Sequence, residues 1–284
     1  MRVVVLGSTG MAGHVVAQFL QEQGHEVWRA SRSEQNTPTS AAIDVSDFER
    51  LKEWLSFARP DAVINCIGLL QKACDARPDK AVLLNAYLPH WLEKLYSATA
   101  TRVIHLSTDC VFSGERGGYQ EGDLTDGRTM YDRSKALGEL HNQKDLTFRM
   151  SIIGPDIDPN GTGLLNWFLT QHGMVEGWTK AIWNGVTTIE LAHGIDAALR
   201  EDLNGLYHFV PAASIDKASL LELIRHSFER DDLLINRVEG LTVNKSLLCT
   251  RTDFNFTVRD YPYQVDNMRR WVKQHRNLYP HYFQ

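Results

Sequence analysis

The first 20 residues constrain the fold more tightly than any other stretch of the chain. Val3-Val4-Val5-Leu6 is an unbroken apolar run, Gly7-Ser8-Thr9-Gly10-Met11-Ala12-Gly13 follows it, and Val15, Val16, Phe19 and Leu20 then recur at helical spacing. A continuous apolar run before a glycine turn suits a strand buried on both faces, and the spacing after it suits an amphipathic helix. Strand, tight turn and helix in that order open a parallel βαβ unit. The glycines at 7, 10 and 13 allow a sharp turn and let an anionic group reach the free N–H groups at the positive end of the helix. A pyrophosphate fits this arrangement, and hence a dinucleotide, with Gly7, Thr9, Gly10 and Met11 expected to line it.

The alternation continues through the first half. Apolar and β-branched runs predict strands at 26–30, 41–44, 61–66, 102–108 and 146–151, and helical patterns fill 46–58, 79–99 and 131–143. The expected fold class is α/β: a Rossmann-type, doubly wound parallel sheet over residues 1–150. After residue 151 the regularity fades through Gly154-Pro155-Asp156-Ile157-Asp158-Pro159-Asn160-Gly161. Residues 151–284 carry most of the tryptophans and are expected to form a smaller substrate-binding lobe, with some segments returning to the first domain.

Charge and composition narrow the partners. A formal net charge of −5 without a basic stripe argues against nucleic acid. No apolar run approaches the ~20 residues of a membrane span, so no membrane partner is expected. The amino terminus reads straight into the first strand, which leaves no stretch to read as a signal peptide. Cys66, Cys74, Cys110 and Cys249 lack metal-ligand spacing, so reduced thiols, no metal and a cytoplasmic location are expected.

Two further patterns carry chemistry. Val103-Ile104-His105-Leu106-Ser107-Thr108-Asp109 is an apolar strand ending in hydroxyls, and in open parallel sheets ligands bind beyond the carboxyl ends of strands. Thr108 would therefore face the ligand, although a hydroxyl there also suits a turn or helix cap. Tyr131 and Lys135 stand four residues apart, so on a helix they share a face. The ammonium is expected to pull the phenol's pKa down towards neutrality, which would let Tyr131 give a proton to a carbonyl oxygen as a hydride reaches the carbon. At the end of the second strand, Trp28-Arg29-Ala30-Ser31-Arg32-Ser33 offers two arginines and no acid to hold a ribose diol. Arg32 suits a 2′-phosphate, with Arg29 in reserve, so NADPH is the expected cofactor.

Together with Asn65-Cys66-Ile67-Gly68, Asn85 and Arg149-Met150-Ser151, these motifs resemble the extended short-chain dehydrogenase/reductase superfamily. Within it, Ser107-Thr108-Asp109-Cys110-Val111-Phe112-Ser113-Gly114, followed by Tyr119 and Glu121, looks like the dTDP-4-dehydrorhamnose reductase branch. Asn184-Gly185-Val186-Thr187-Thr188-Ile189-Glu190-Leu191-Ala192 is similar to a later segment of that branch. The resemblance implies that Tyr131 is the proton donor, Lys135 its ribose-binding partner, and Thr108 the group that orients the keto oxygen. It implies that Asp44 and Val45 flank the adenine, and that Cys66, Ile67, Gly68 and Asn85 line the cofactor trough. Asp109 and Cys110 would meet the substrate, with Trp167, Trp178 and Trp183 as candidate apolar walls.

The sequence also departs from the branch. His14 stands where some bacterial members carry a Glu that helps to hold an interchain metal, which leaves a homodimer open but without that bridge. Related dehydratases place an acid directly after the Thr-Asp pair, and here that residue is Cys110. The implied activity is NADPH-dependent reduction of the C4 ketone of a nucleotide-linked 4-keto-6-deoxy-L-hexose, supplying a deoxysugar for surface polysaccharide. The rivals are a reductase of a UDP-linked 2-acetamido analogue and a non-catalytic regulatory subunit, like that of methionine adenosyltransferase.

Overall fold

The apolar run at the amino terminus becomes β1 (Arg2–Leu6), and its alternate residues serve two different cores. In the computed structural model, which describes residues 1–283, Val3 and Val5 join one apolar cluster while Val4 and Leu6 join another. A strand fully buried on both faces needs helices above and below its sheet, which is why the run does not alternate with polar residues. Each such side chain contributes about 1.5–3 kcal/mol of apolar burial.

The first half runs α1 (Met11–Glu22), β2 (Glu26–Ser31), β3 (Ser40–Ala42), α2 (Phe48–Ala58) and β4 (Ala62–Asn65). It continues through α3 (Gln71–Ala76), α4 (Pro78–Ala81), a π turn over Val82–Tyr87, α5 (Leu88–Leu95), β5 (Arg102–Leu106), α6 (Met130–Leu137) and β6 (Leu146–Arg149). After these come β7 (Ile152–Ile153), α7 (Leu164–Leu169), β8 (Gly173–Trp178), β9 (Ala181–Trp183), β10 (Val186–Thr187), α8 (Thr188–Arg200) and β11 (Gly205–His208). The chain closes with β12 (Ile215–Asp216), α9 (Lys217–Ser227), β13 (Leu233–Val238), β14 (Val243–Asn244) and α10 (Tyr261–Gln274).

The main sheet has seven strands in the order β11-β6-β5-β4-β1-β2-β3, all parallel. The order reverses beside β1, so the glycine turn after β1 lies next to the loop after β4, the crevice where such sheets hold ligands. The seventh strand, β11, comes from beyond residue 151 and pairs with β6. The remaining strands form three small sheets, β10 with β7, β13 with β8, and β12-β9-β14.

Two predicted helices differ from those observed. The pattern over 79–99 is broken by the π turn, which carries Asn85 at its centre. The helix predicted over 131–143 stops at Leu137, and Gly138 caps it, because a Cβ at 138 would overlap the Asn85 carbonyl oxygen. Close approach of two helices, invisible in either helix's own periodicity, sets both features.

Candidate functional site

The site begins with the turn after β1. Gly7 adopts φ +78, a left-handed conformation that costs glycine little, and its N–H donates to the Ala30 carbonyl at 2.8 Å. A side chain at Gly13 would overlap the Gly7 carbonyl, so the third glycine permits α1 to press against the turn. Gly10 is the N-cap of α1 and brings no side chain to it, which leaves the first-turn N–H groups available to an anion. Thr9 Oγ1 bonds Ser31 (3.0 Å) and lies 3.1 Å from Ser33, tying the turn to the end of β2. The Met11 sulfur meets the 154–163 loop at Gly163. These features fit a dinucleotide pyrophosphate.

The adenosine side is more mixed. Ser46 hydrogen bonds hold the Asp44 carboxyl below its ordinary range, and Val45 is buried beside it. Arg32 is exposed, and its charge reaches Asp44, as does that of Lys80. Arg29, the reserve candidate, instead donates to Gln21 (2.8 Å) and Gln18 (3.4 Å) on α1. The sequence reading found no acid here, but Glu34, two residues beyond Arg32, accepts a 2.6 Å hydrogen bond from Ser8 in the glycine turn. It was missed because no local pattern links a loop carboxylate to a turn 26 residues earlier.

The trough after β4 is built by hydrogen bonds from side chain to backbone. Asn65 Oδ1 accepts from the Ile67 N–H (3.2 Å), and the expected trough residues Cys66 and Gly68 flank Ile67. Burial pushes the Cys66 thiol up to about 12, which leaves it an inert group. Asn85, in the π turn, accepts from the Leu69 N–H (2.7 Å) and donates to the Leu69 carbonyl (3.0 Å) and Ser134 Oγ (3.0 Å). One buried amide thus fixes the trough relative to α6, an instance of a π turn used at a site.

The α6 helix starts with a reciprocal capping box between Thr129 and Asp132, which fixes Tyr131 and Lys135 one turn apart on a shared face. The structure corrects the expected pKa of the tyrosine. Burial raises the Tyr131 phenol above its ordinary value, Cys110 adds to this, and a Thr108 hydrogen bond opposes it. Lys135 is itself shifted, down to about 8, chiefly by burial. Its Nζ donates to the Leu106 carbonyl (2.6 Å) and lies 3.3 Å from His105 Nε2. Desolvation dominates both shifts, because both groups are buried.

His105 is a second residue that sequence reasoning missed. It is fully buried, burial and Lys135 hold its pKa well below the ordinary value, and its Nδ1 lies 3.2 Å from the Asn65 amide nitrogen. It lies opposite Asn65 in the β4–β5 register, a pairing that no local pattern in the sequence shows. Beyond β5, Thr108 caps a short turn over Asp109–Val111, accepting from the Cys110 N–H (3.1 Å) and donating to Asp109 Oδ1 (3.2 Å). The cap role is realised, and the same hydroxyl reaches Tyr131. Burial raises the carboxyl of Asp109 above its ordinary value and pushes the Cys110 thiol up to about 12.

A buried polar chain supports this strand end. Ser107 donates to Glu139 (2.6 Å), Glu139 forms a bidentate pair with Arg149 (2.9 and 2.6 Å), and Arg149 contacts His208 Nε2 (2.9 Å). The three tryptophans have different surroundings. Trp183 is 5% exposed, near Tyr261, while Trp167 on α7 and Trp178 at the end of β8 are 42% and 41% exposed. Of His14, the structure shows a ring bonded to the Gly10 carbonyl and to Tyr279 Oη, both at 2.8 Å.

The family model described as "RmlD substrate binding domain" matches residues 1–246. The chain is 37% identical over 162 residues to "Probable low-salt glycan biosynthesis reductase Agl14" of Haloferax volcanii, covering 54% of each protein. It is 34% identical over 142 residues to the "dTDP-4-dehydrorhamnose reductase" of Mycolicibacterium smegmatis, covering 49% of this chain and 40% of the relative. The chain thus spans about half the length of these curated relatives. Among solved structures, the dTDP-4-dehydrorhamnose reductase from Bacillus anthracis in complex with NADP superposes with a TM-score of 0.80 at 17% identity, over 96% of this chain and 99% of that one. At that identity the likeness is one of fold. Among the described residues, no helix is long and apolar enough to cross a membrane.

Proposed function

This chain belongs to the RmlD substrate binding domain family, within the extended short-chain dehydrogenases/reductases, and from that premise we propose that it reduces the C4 ketone of a nucleotide-linked 4-keto-6-deoxy-L-hexose with NADPH. The observation that carries the reading is that Tyr131 reaches Thr108 beyond the end of β5 while Lys135, one turn further along α6, donates to the Leu106 carbonyl of the same strand. The product is an activated deoxysugar for surface polysaccharide, made in the cytoplasm. The relatives' names as reductases of glycan and dTDP-sugar synthesis support this choice.

NADPH, when bound, supplies a hydride to the carbonyl carbon. Thr108 orients the keto oxygen by hydrogen bonding. Tyr131, whose phenol burial keeps protonated through neutral pH, gives its proton to the oxygen as that oxygen gains charge. The ketone becomes a secondary alcohol, and the phenolate left on Tyr131 is stabilised by the Lys135 ammonium from the same helix face. Arg32 holds the 2′-phosphate. An intact donor set favours an enzyme over a regulatory subunit, which has no use for a positioned phenol.

The test is turnover with NADPH against enzymatically generated dTDP- and UDP-linked 4-keto-6-deoxy sugars, followed by NADPH absorbance and product NMR. Oxidation with the dTDP substrate is expected. Preference for the UDP-linked 2-acetamido sugar would move the assignment to that analogue. Absence of turnover by folded, NADPH-binding protein would overturn the enzyme reading.

A further inference from the structure

Lys135 closes a buried hydrogen-bonded chain whose ends are both donors. The chain starts at the Ile67 N–H after β4, which donates to Asn65 Oδ1 at 3.2 Å. The Asn65 amide nitrogen lies 3.2 Å from His105 Nδ1, and His105 Nε2 lies 3.3 Å from Lys135 Nζ. Asn65 and His105 are fully buried and stand opposite each other on β4 and β5. Among the described residues, neither side chain has another hydrogen-bond partner. Lys135 is also held by its 2.6 Å bond to the Leu106 carbonyl.

The parity of this chain disfavours a charged lysine. An amide has a donor side and an acceptor side, and so has a neutral imidazole. The Ile67 N–H claims the amide oxygen, so the amide nitrogen donates to Nδ1 and the imidazole proton sits on Nε2. That N–H needs an acceptor at Lys135. An amine is one, whereas an ammonium only donates. With the ammonium present, one of the three contacts must set donor against donor. Magnitude decides where the mismatch falls. A charge-assisted bond is roughly twice as strong as a neutral one, so the ammonium takes Nε2 as its acceptor. The imidazole proton then moves to Nδ1, and the Asn65 amide turns its oxygen from Ile67 to the ring. An imidazolium would set a second cation beside Lys135 in a fully buried place, so the ring stays neutral in both states.

We infer that His105 is a positioning residue for the reduction: it acts through Lys135, its tautomer follows the lysine's charge, and the Ile67–Asn65–His105 chain favours the uncharged amine. This rests on the reductase reading above. The chain thereby helps to set the pH at which the ammonium that stabilises the phenolate is lost. Its direction agrees with the lowering of Lys135 to about 8, in which burial is the largest cause. The other groups that face the pair do not reproduce this coupling. Glu139 acts to raise Lys135 and is itself committed to Arg149. Burial raises the Cys66 and Cys74 thiols, and Tyr131 is raised as well, so all three stay neutral near pH 8. His90, which acts on His105 from α5, pairs with Glu93 at 2.9 Å.

The experiment is nitrogen NMR of the full chain with NADP+ bound and its histidine rings isotopically labelled, titrated from pH about 6 to about 10. His105→Gln identifies the His105 signals by their loss. The expected ring stays neutral, with its proton on Nδ1 at the acid end and on Nε2 at the alkaline end. The exchange should fall where Lys135 titrates, the pH that the alkaline limb of kcat/KM reports. Asn65→Asp offers an acceptor to Ile67 and to His105 alike, which removes the mismatch. In that variant Nδ1 should stay protonated over the whole range. The limb should move up by about one pH unit or more, the equivalent of one hydrogen bond to a charged group. The new carboxylate's charge also moves the limb, but only the hydrogen-bonded chain fixes the tautomer. A single tautomer throughout in the parent, an imidazolium, or an unaltered switch in Asn65→Asp would overturn the proposal. If Asn65→Asp fails to fold, the parent's titration decides alone. A tautomer switch in protein that reduces neither the dTDP- nor the UDP-linked 4-keto sugar would uphold the coupling of His105 to Lys135 and overturn the reductase reading.

Discussion

The glycine turn after β1 and the small sheet β12-β9-β14 belong to different sheets, and they are built in opposite ways. The turn is made by 12 contiguous residues, Arg2 to Gly13, whose backbone conformations are dictated by glycine and by strand and helix periodicity. The small sheet joins segments at 181–183, 215–216 and 243–244, each too short to carry a period. The first region offers backbone N–H groups, and the second sets side chains together, with Lys217 against the Trp183 ring. Backbone sites tolerate little change in shape, whereas side-chain sites tolerate shape but not loss of charge. Variants that separate chemistry, support and cofactor choice can break or sharpen that contrast.

The largest effect belongs to α6, which carries Tyr131 and Lys135. Tyr131→Phe should lower kcat by about 10²- to 10⁴-fold, the usual contribution of a positioned proton donor, with NADPH affinity nearly unchanged. Steady-state kinetics with a fluorescence Kd for NADPH decide this, and wild-type turnover would remove Tyr131 from the mechanism. Lys135→Ala should damage both kcat and NADPH affinity.

Next is the buried pair that supports the strand end. Glu139 and Arg149 are each 2% exposed, and Arg149 also reaches His208 on β11, the strand contributed by the second half. Glu139→Gln leaves a buried guanidinium without its counter-charge, so a loss of about 3–5 kcal/mol is expected. Urea denaturation checks it, and a loss below about 1 kcal/mol would mean that water or His208 compensates.

Cofactor preference comes third. Arg32→Ala should reduce NADPH affinity by about 1.5–3 kcal/mol while sparing NADH. Glu34→Gln should do the reverse and favour NADPH, because it removes a carboxylate from the glycine turn. Competitive binding of the two nucleotides measures both variants, and equal parental affinities for NADPH and NADH would refute the role of Arg32.

The pH dependence follows from Lys135, lowered to about 8. Tyr131 is raised and so stays protonated through this range. The alkaline limb of kcat/KM, which reports the free enzyme, should therefore fall as pH rises through about 8, when the ammonium loses its proton. The same shift affects stability with a definite sign. A lysine lowered in the folded state binds fewer protons than in the unfolded chain, so its penalty on stability is relieved as pH rises from about 8 towards the ordinary 10.5. Rate profiles and melting temperatures of parent and Lys135→Met should show both trends, and a flat kcat/KM up to pH about 10 would contradict the first.

The smallest effect tests a tie to the carboxyl terminus. Tyr279 Oη joins His14 on α1 to Trp271 Nε1 on α10. Tyr279→Phe should cost about 1 kcal/mol per lost neutral hydrogen bond and leave kcat unchanged. A changed NADPH affinity would show that this tie also shapes the turn.

The sequence by itself determined the alternation of strands and helices in the first half, the glycine turn and the shared face of Tyr131 and Lys135. Each depends on residues at most a few positions apart, where backbone sterics and helical or strand periodicity act directly. Tertiary structure alone decided the rest. Gly138 ended a helix because Asn85 lay against it, Glu34 reached Ser8, and His105 came to rest between Asn65 and Lys135. Burial moved the Tyr131 pKa opposite to the direction its lysine neighbour implied, since desolvation depends on everything packed around a group and not on its position in the chain. Lys217 came to lie against the Trp183 ring only when short strands from distant parts of the chain paired, and such non-local pairing leaves no local pattern to read.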